Sequence, residues 1–170
     1  MQALPKLELK QDIRYILNFS FGSYMPTFYV PCHQVTLVDI SQDVLDKSQS
    51  RINESIKRVA KKKFKDDAAA GEKFISEAIG RLHIATNPDQ AISTADLVVE
   101  AVTENLDLKK KLFSSYDKVA PSKTILASNT SSLAIKDIAA ACPNRLGTFG
   151  GLHFFNPVPV MKLLGLYFIL

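Results

Sequence analysis

The stretch DLVVEAV, Asp96 to Val102, most narrows what this chain can become. It is a nearly unbroken apolar run without alternation, which marks a strand buried on both faces. Such a strand belongs inside a parallel sheet with helices on either side. Runs of similar character recur in order: QVTLVD (Gln34 to Asp39), LHIAT (Leu82 to Thr86), TILASN (Thr124 to Asn129) and GGLHFF (Gly150 to Phe155). Helical periods lie between them. Ser41 opens a long helix with Val44, Leu45, Ser48, Ile52, Ile56, Val59 and Ala60 at helical spacing, and it closes in the basic run KKKFK. Further helical stretches cover about 72–79, 106–119 and SSLAIKDIAAAC, and Asn87, Pro88 and Asp89 turn into a short one. This alternation predicts an α/β fold, a doubly wound parallel sheet of Rossmann-like type.

Residues 1–32 break the rhythm. YILNFSFGSYM (Tyr15 to Met25) is a strand candidate, but Pro26 and Pro31 leave little room for a crossover helix before Gln34. Gly22 is the sole glycine before Gly71, so no GxGxxG loop precedes the strand at Gln34. The expected organisation is therefore a divergent segment over 1–32 without the glycine-rich loop, followed by a Rossmann-like domain over 33–170. The sheet is expected to be incomplete at its N-terminus.

Composition narrows the function classes. The 170 residues suffice for one domain with a real core, and 46% hydrophobic with 22% charged content is ordinary for a soluble globular protein. The formal charge of +4 suits an anionic ligand. No aromatic-basic interleaving or zinc spacing points to nucleic acid, so neither a nucleic-acid partner nor a metal is expected. Cys32 and Cys142 stand far apart and outside any CxxC, which argues against a disulfide framework and fits a reducing compartment. The apolar run LLGLYFIL is too short to span a bilayer. Being uncharged and β-prone, it is either an aggregation risk or the last strand of the sheet. The N-terminus lacks a signal-peptide core, and Glu8 and Asp12 are unlike a transit peptide, though Lys6, Lys10 and Arg14 leave that question open.

The candidate site residues gather at strand ends. Asp39 ends its strand where a dinucleotide fold places the acid that binds the adenosine ribose; the plainer reading is a helix N-terminal aspartate. Lys61, Lys62, Lys63 and Lys65 are either a phosphate grip or a solvated helix end favoured by the dipole. Glu100 lies near the end of a buried strand and Glu104 just past it. Asn129, Thr130, Ser131 and Ser132 follow the next strand, as caps or as ligand contacts. His153 lies on the last clear strand, as a base or as a core histidine. Glu104, Ser131 and His153 thus converge on one sheet edge, where a base and hydroxyl donors would handle a proton on an oxygen.

Five ordered segments, VTLVD, SIKRVAKKKF, DLVVEAVTENLDLKKKLF, ILASNTSSLAI and GLHFFNPVPVMKL, together resemble the L-3-hydroxyacyl-CoA dehydrogenase family, in wording its short-chain mitochondrial type. The likeness runs from about His33 to Leu163. It implies an NAD-dependent enzyme that oxidises the 3-hydroxyl of a fatty acyl-CoA to a ketone in β-oxidation. By that resemblance Asp39 is the adenosine-ribose ligand, Ser55 and Lys62 contact coenzyme A, and Glu104 and Lys109 contact NAD. Ser131 hydrogen-bonds the reacting oxygen and so belongs to the catalytic, NAD and coenzyme A sets together. Asn156 stands beside the nicotinamide, and His153 takes the hydroxyl proton. The family is a homodimer of the mitochondrial matrix; a cytoplasmic location is the alternative for this chain.

The departures point elsewhere. The family opens on a strand and a GxGxxG turn that residues 1–32 do not resemble. In the family a glutamate downstream of the histidine orients the imidazole, in a segment like MKLVEV; here Gly165 stands at that place. The family's C-terminal helical dimerisation domain is expected to be absent. The alternative is therefore a catalytically impaired form that binds coenzyme A in part or pairs with a full-length relative. A different nucleotide binder of Rossmann type is a third reading, disfavoured by ASNTSS and HFFNP.

Overall fold

The structure, a computed structural model, describes residues 34–155 and 164–168 and the backbone of 14–19. Gly22, Pro26, Pro31, Cys32 and Asn156 lie outside the described residues. Among those described, seven strands form one sheet in the order β3-β2-β1-β4-β5-β6-β7. The strands are β1 (Arg14–Phe19), β2 (Gln34–Val38), β3 (Leu82–Ala85), β4 (Leu97–Ala101), β5 (Ile125–Ser128), β6 (Phe149–Phe154) and β7 (Leu164–Phe168). All neighbours run parallel except β6 and β7, which are antiparallel. The sheet is therefore parallel and Rossmann-like as expected, with one antiparallel edge strand.

Both chain ends enter this sheet. The divergent N-terminal segment supplies β1, which lies between β2 and β4 with Asn18 in register with Val38 on one side and Glu100 on the other. LLGLYFIL supplies β7, the outer neighbour of β6.

The helices are α1 (Gln42–Lys63), α2 (Ala68–Gly80), α3 (Pro88–Ile92), α4 (Leu106–Val119) and α5 (Ile135–Ala139), with a 3-10 segment over Pro143–Thr148. Strand alternation splits the core into two faces. Val35 and Leu37 of β2 and Val99 of β4 pack with Leu45, Ile52 and Ile56 of α1 and Ala78 of α2. Val38 and Val98 point the other way, to Ile92, Phe113, Tyr116 and Ile138 of α3, α4 and α5. This two-sided burial explains the continuous apolar wording of the strands. Each fully buried Leu, Ile or Val contributes about 1.5–3 kcal/mol.

Local chemistry sets the helix ends. Asp67 caps α2 by accepting the Ala70 N–H, and Asn105 caps α4 by accepting the Leu108 N–H. Lys61, Lys62 and Lys63 occupy the last turn of α1, where the dipole favours cations. One expected helix is much shorter than its sequence pattern. SSLAIKDIAAAC is helical only over Ile135–Ala139. The Thr130 hydroxyl accepts the Leu133 N–H at 3.0 Å, and Ser131 turns its own N–H away to Glu104. Side chains that bond nearby backbone in this way compete with helix formation.

Gly151 fixes how closely α5 lies on β6. A Cβ there would come within 2.8 Å of Ile135 Cδ1 and 3.0 Å of Tyr167 Cβ. Beyond it, Arg145 of the 3-10 segment is buried, paired with Asp117 of α4 and donating to the Ala120 and Pro121 carbonyls at 2.6 and 2.7 Å.

Candidate active site

In an open parallel sheet the ligand crevice lies beyond the carboxyl ends of the strands, where the strand order reverses. Here the reversal falls between β1 and β4, and the residues following β2, β4 and β5 line that edge. Asp39 directly follows β2, half-buried, and its Oδ1 accepts the Ser41 N–H at 2.9 Å. This turn anchors the carboxylate at the start of α1. It fits the ribose end of a dinucleotide. The turn after β1, where a pyrophosphate would lie, is outside the described residues.

Past β4, Glu104 gathers the small polar residues that follow β5. Its Oε1 accepts the Ser131 N–H at 2.6 Å and the Ser131 hydroxyl at 2.9 Å, and its Oε2 accepts the Thr130 hydroxyl at 2.8 Å. Burial pushes the Glu104 carboxyl upward. The Ser131 N–H, the Thr130 and Ser131 hydroxyls and the charge of Lys109 outweigh it, and hold the group below its ordinary 4.5. Glu104 is therefore ionised at neutral pH, and Ser131 is exposed with both donors committed to it.

Lys109 is fully buried, a placement its surface-like motif KKKLF did not suggest. Its ammonium bonds Glu100 Oε1 at 2.6 Å and stands 3.8 Å from Glu104 Oε2. Glu100, also fully buried, accepts further hydrogen bonds from the Val102 N–H at 2.6 Å and the Ser128 hydroxyl at 2.7 Å. Sequence reading placed Glu100 near the site without a role. The signal was there, since a carboxylate inside the strand LVVEA needs a buried cation.

His153 lies near the end of β6, half-buried, with Phe155 edge-on at 4.6 Å between ring centroids. The Asn129 side chain accepts the N–H of the next residue, Phe154, at 2.9 Å and so ties the end of β6 to that of β5. The histidine's Nδ1 is buried and has no hydrogen-bond partner among the described residues. Its direct cross-strand neighbour on β7 is Gly165. Directly opposed residues of an antiparallel pair point to the same face with Cβ atoms about 4.5–5.5 Å apart. A carboxylate at that position would meet the imidazole, and glycine supplies none.

Ser55 and Lys62 both lie on α1, at a spacing of two helical turns that sets them on one side. Ser55 is half-buried and Lys62 exposed. Among the described residues, no group of His, Cys, Asp and Glu is placed to hold a metal ion. No helix among them is long and apolar enough to cross a membrane.

Residues 27–167 match the profile of the 3-hydroxyacyl-CoA dehydrogenase NAD-binding domain. The chain is 51% identical over 131 residues to the mitochondrial hydroxyacyl-coenzyme A dehydrogenase of Mus musculus, covering 77% of this chain and 41% of that protein. It is 48% identical over 130 residues to a probable 3-hydroxyacyl-CoA dehydrogenase of Caenorhabditis elegans, covering 76% and 42%. It thus spans about two fifths of the length of the curated relatives it matches. Among solved structures, (S)-3-hydroxybutyryl-CoA dehydrogenase from Ralstonia eutropha superposes with a TM-score of 0.75 at 33% identity, over 92% of this chain and 53% of that one.

Proposed function

Because the chain belongs to the 3-hydroxyacyl-CoA dehydrogenase family through its NAD-binding domain, we propose that it serves the NAD-dependent oxidation of the 3-hydroxyl of a fatty acyl-CoA to a ketone. NAD, when bound, supplies the acceptor for the hydride on C3. Asp39 would hold its adenosine ribose, and Glu104 would line its nicotinamide end with Lys109 beneath. His153 would take the hydroxyl proton on Nε2, its Nδ1 being buried. By the family resemblance Ser131 would meet the reacting oxygen, Asn156, outside the described residues, would serve the nicotinamide, and Ser55 and Lys62 would hold coenzyme A along α1. The observation that carries this reading is the hydrogen-bonded joining of Glu104, past β4, to Ser131, past β5, with His153 near the end of β6, the next strand of the sheet. The matrix of the mitochondrion is the proposed location, supported by the names of the mammalian relatives.

A second reading is favoured by one specific feature. With Nδ1 of His153 unpartnered and Gly165 opposite, nothing described sets the imidazole tautomer. Losing that orientation in an analogous triad costs about four orders of magnitude. The chain would then bind its nucleotide yet turn over poorly. Calorimetric titration with NADH and an assay of acetoacetyl-CoA reduction separate the two. The dehydrogenase reading expects NADH binding with turnover, and the impaired reading expects NADH binding without measurable turnover. Turnover near that of a full-length family enzyme would sink the impaired reading, and absence of NADH binding would sink the dehydrogenase reading.

A further inference from the structure

Glu100 is the one charged residue of β4. Fully buried, it takes Lys109 and the Val102 N–H on one oxygen and the Ser128 hydroxyl on the other. Lys109 also donates to the Val102 carbonyl at 3.1 Å, so its ammonium is fixed from two sides and faces Glu104 at 3.8 Å. Glu104, with 38% of its side chain exposed, carries Ser131. Charge thus alternates from the interior to the edge: carboxylate, ammonium, carboxylate, hydroxyl. A buried ion pair is weak evidence of stabilisation, because apolar residues of equal volume often do as well. This pair supplies a cation of fixed position under the carboxylate that aims Ser131. Without Glu100 the ammonium would be free to close on Glu104 and draw it from Ser131.

We propose that Glu100 is a positioning residue for Ser131, acting through Lys109 and Glu104 to hold the serine in place at the sheet edge. The proposal rests on the reading of Ser131 as the group that meets the substrate oxygen. The charged groups placed against Glu104 among the described residues are Lys109 of α4 and, behind it, Glu100 of β4.

The test is a pH titration of the Ser131 amide by nitrogen-15 NMR on the whole chain without substrate, since that N–H bonds the Glu104 carboxylate directly. Glu100→Gln removes the competing anion and is expected to lower the midpoint, and Lys109→Met removes the cation and is expected to raise it, each by about one unit. Asp117→Asn, which loosens the distant Arg145 pair, should lower the melting temperature and leave the midpoint in place. Opposite shifts from two partners are not a signature of general loosening. A Glu100→Gln midpoint equal to that of the parent, or a Ser131 amide whose shift above the midpoint is the parent's, overturns the proposal, because a serine drawn from Glu104 must lose that bond. Should Lys109→Met fail to fold, Glu100→Gln, of nearly equal volume, decides alone. NADH titration of the same proteins keeps the two readings apart. A moved midpoint in a chain that does not bind NADH preserves the positioning role and sinks the dehydrogenase reading.

Discussion

Replacing Gly165 by glutamate would place a carboxylate directly across β6–β7 from His153. The reach is adequate. Opposed Cβ atoms lie about 4.5–5.5 Å apart, so a glutamate oxygen comes within hydrogen-bond distance of Nδ1. The new Cβ would meet the Tyr167 ring at 3.0 Å, but that ring belongs to a flexible side chain 47% exposed, which can swing outward. A strand interior gains about 0.5–1 kcal/mol when glycine is replaced, which offsets the displacement of the ring. Fold stability should therefore change little. The imidazole should change a great deal, because Nδ1–H would gain an acceptor and Nε2 would be left as the free base. If an unset tautomer costs about four orders of magnitude, the barrier at stake is about 5 kcal/mol. The assay is nitrogen-15 NMR of the His153 ring, followed by acetoacetyl-CoA reduction with NADH. The expected result is a single tautomer protonated on Nδ1, and turnover rising by at least two orders of magnitude wherever NADH binds. An Nδ1 that stays unbonded in a folded Gly165→Glu chain would refute the geometric argument, and a fixed tautomer without faster turnover would refute its catalytic half.

Three further outcomes are expected. Lys109→Met strands the buried Glu100 carboxylate with two remaining donors, Val102 and Ser128; the cost should be about 3 kcal/mol, read as a fall of about 6–12 °C in melting temperature. The folded-state carboxyl of Glu104 is held below its ordinary 4.5, so the stability it contributes is full above that value and is lost as pH falls through the lower folded one. Urea melts across that range should show the slope flattened in Glu104→Gln. Cys142 is fully buried, and burial first and Asp117 second push its thiol up to about 11; in a Cys32→Ser chain, thiol labelling at neutral pH should proceed only as fast as unfolding.

The sheet was legible wherever burial on both faces writes a continuous apolar run, as in DLVVEAV and TILASN. The start of the short α3 was legible in Asn87, Pro88 and Asp89, whereas the cap of α4 is Asn105 and not the neighbouring Glu104, which turns to Ser131. RYILNF was harder to assign, because a central strand is recognised partly by the turn that follows it, and the usual glycine signature is missing there. The short α5 was missed because SSLAIKDIAAAC has helical spacing, while the bonds that prevent an early start come from Glu104, far away in sequence. At the site, hydrogen bonds join Glu104 to Ser131, and the parallel pairing of β5 with β6 sets His153 on the neighbouring strand. The partnership of Glu100 with Lys109 was hidden because it joins a strand residue to one lysine among three adjacent ones. Which of Lys109, Lys110 and Lys111 turns inward depends on helix phase, and the buried positions Lys109, Phe113 and Tyr116 reveal that phase only in three dimensions.

The position of β1 also governs how the chain assembles. It is the strand that joins the β2–β3 pair to the β4–β7 half, yet β2, α1, α2, β3 and α3 separate it in sequence from its partner β4. Closing so large a loop costs entropy before any pairing rewards it, so topology of this kind slows folding. During synthesis β1 emerges first and waits for β4 before the sheet can close. Until then the β1 edge that β4 will cover stays unpaired, and the chain's vulnerability to misassembly is concentrated in that interval.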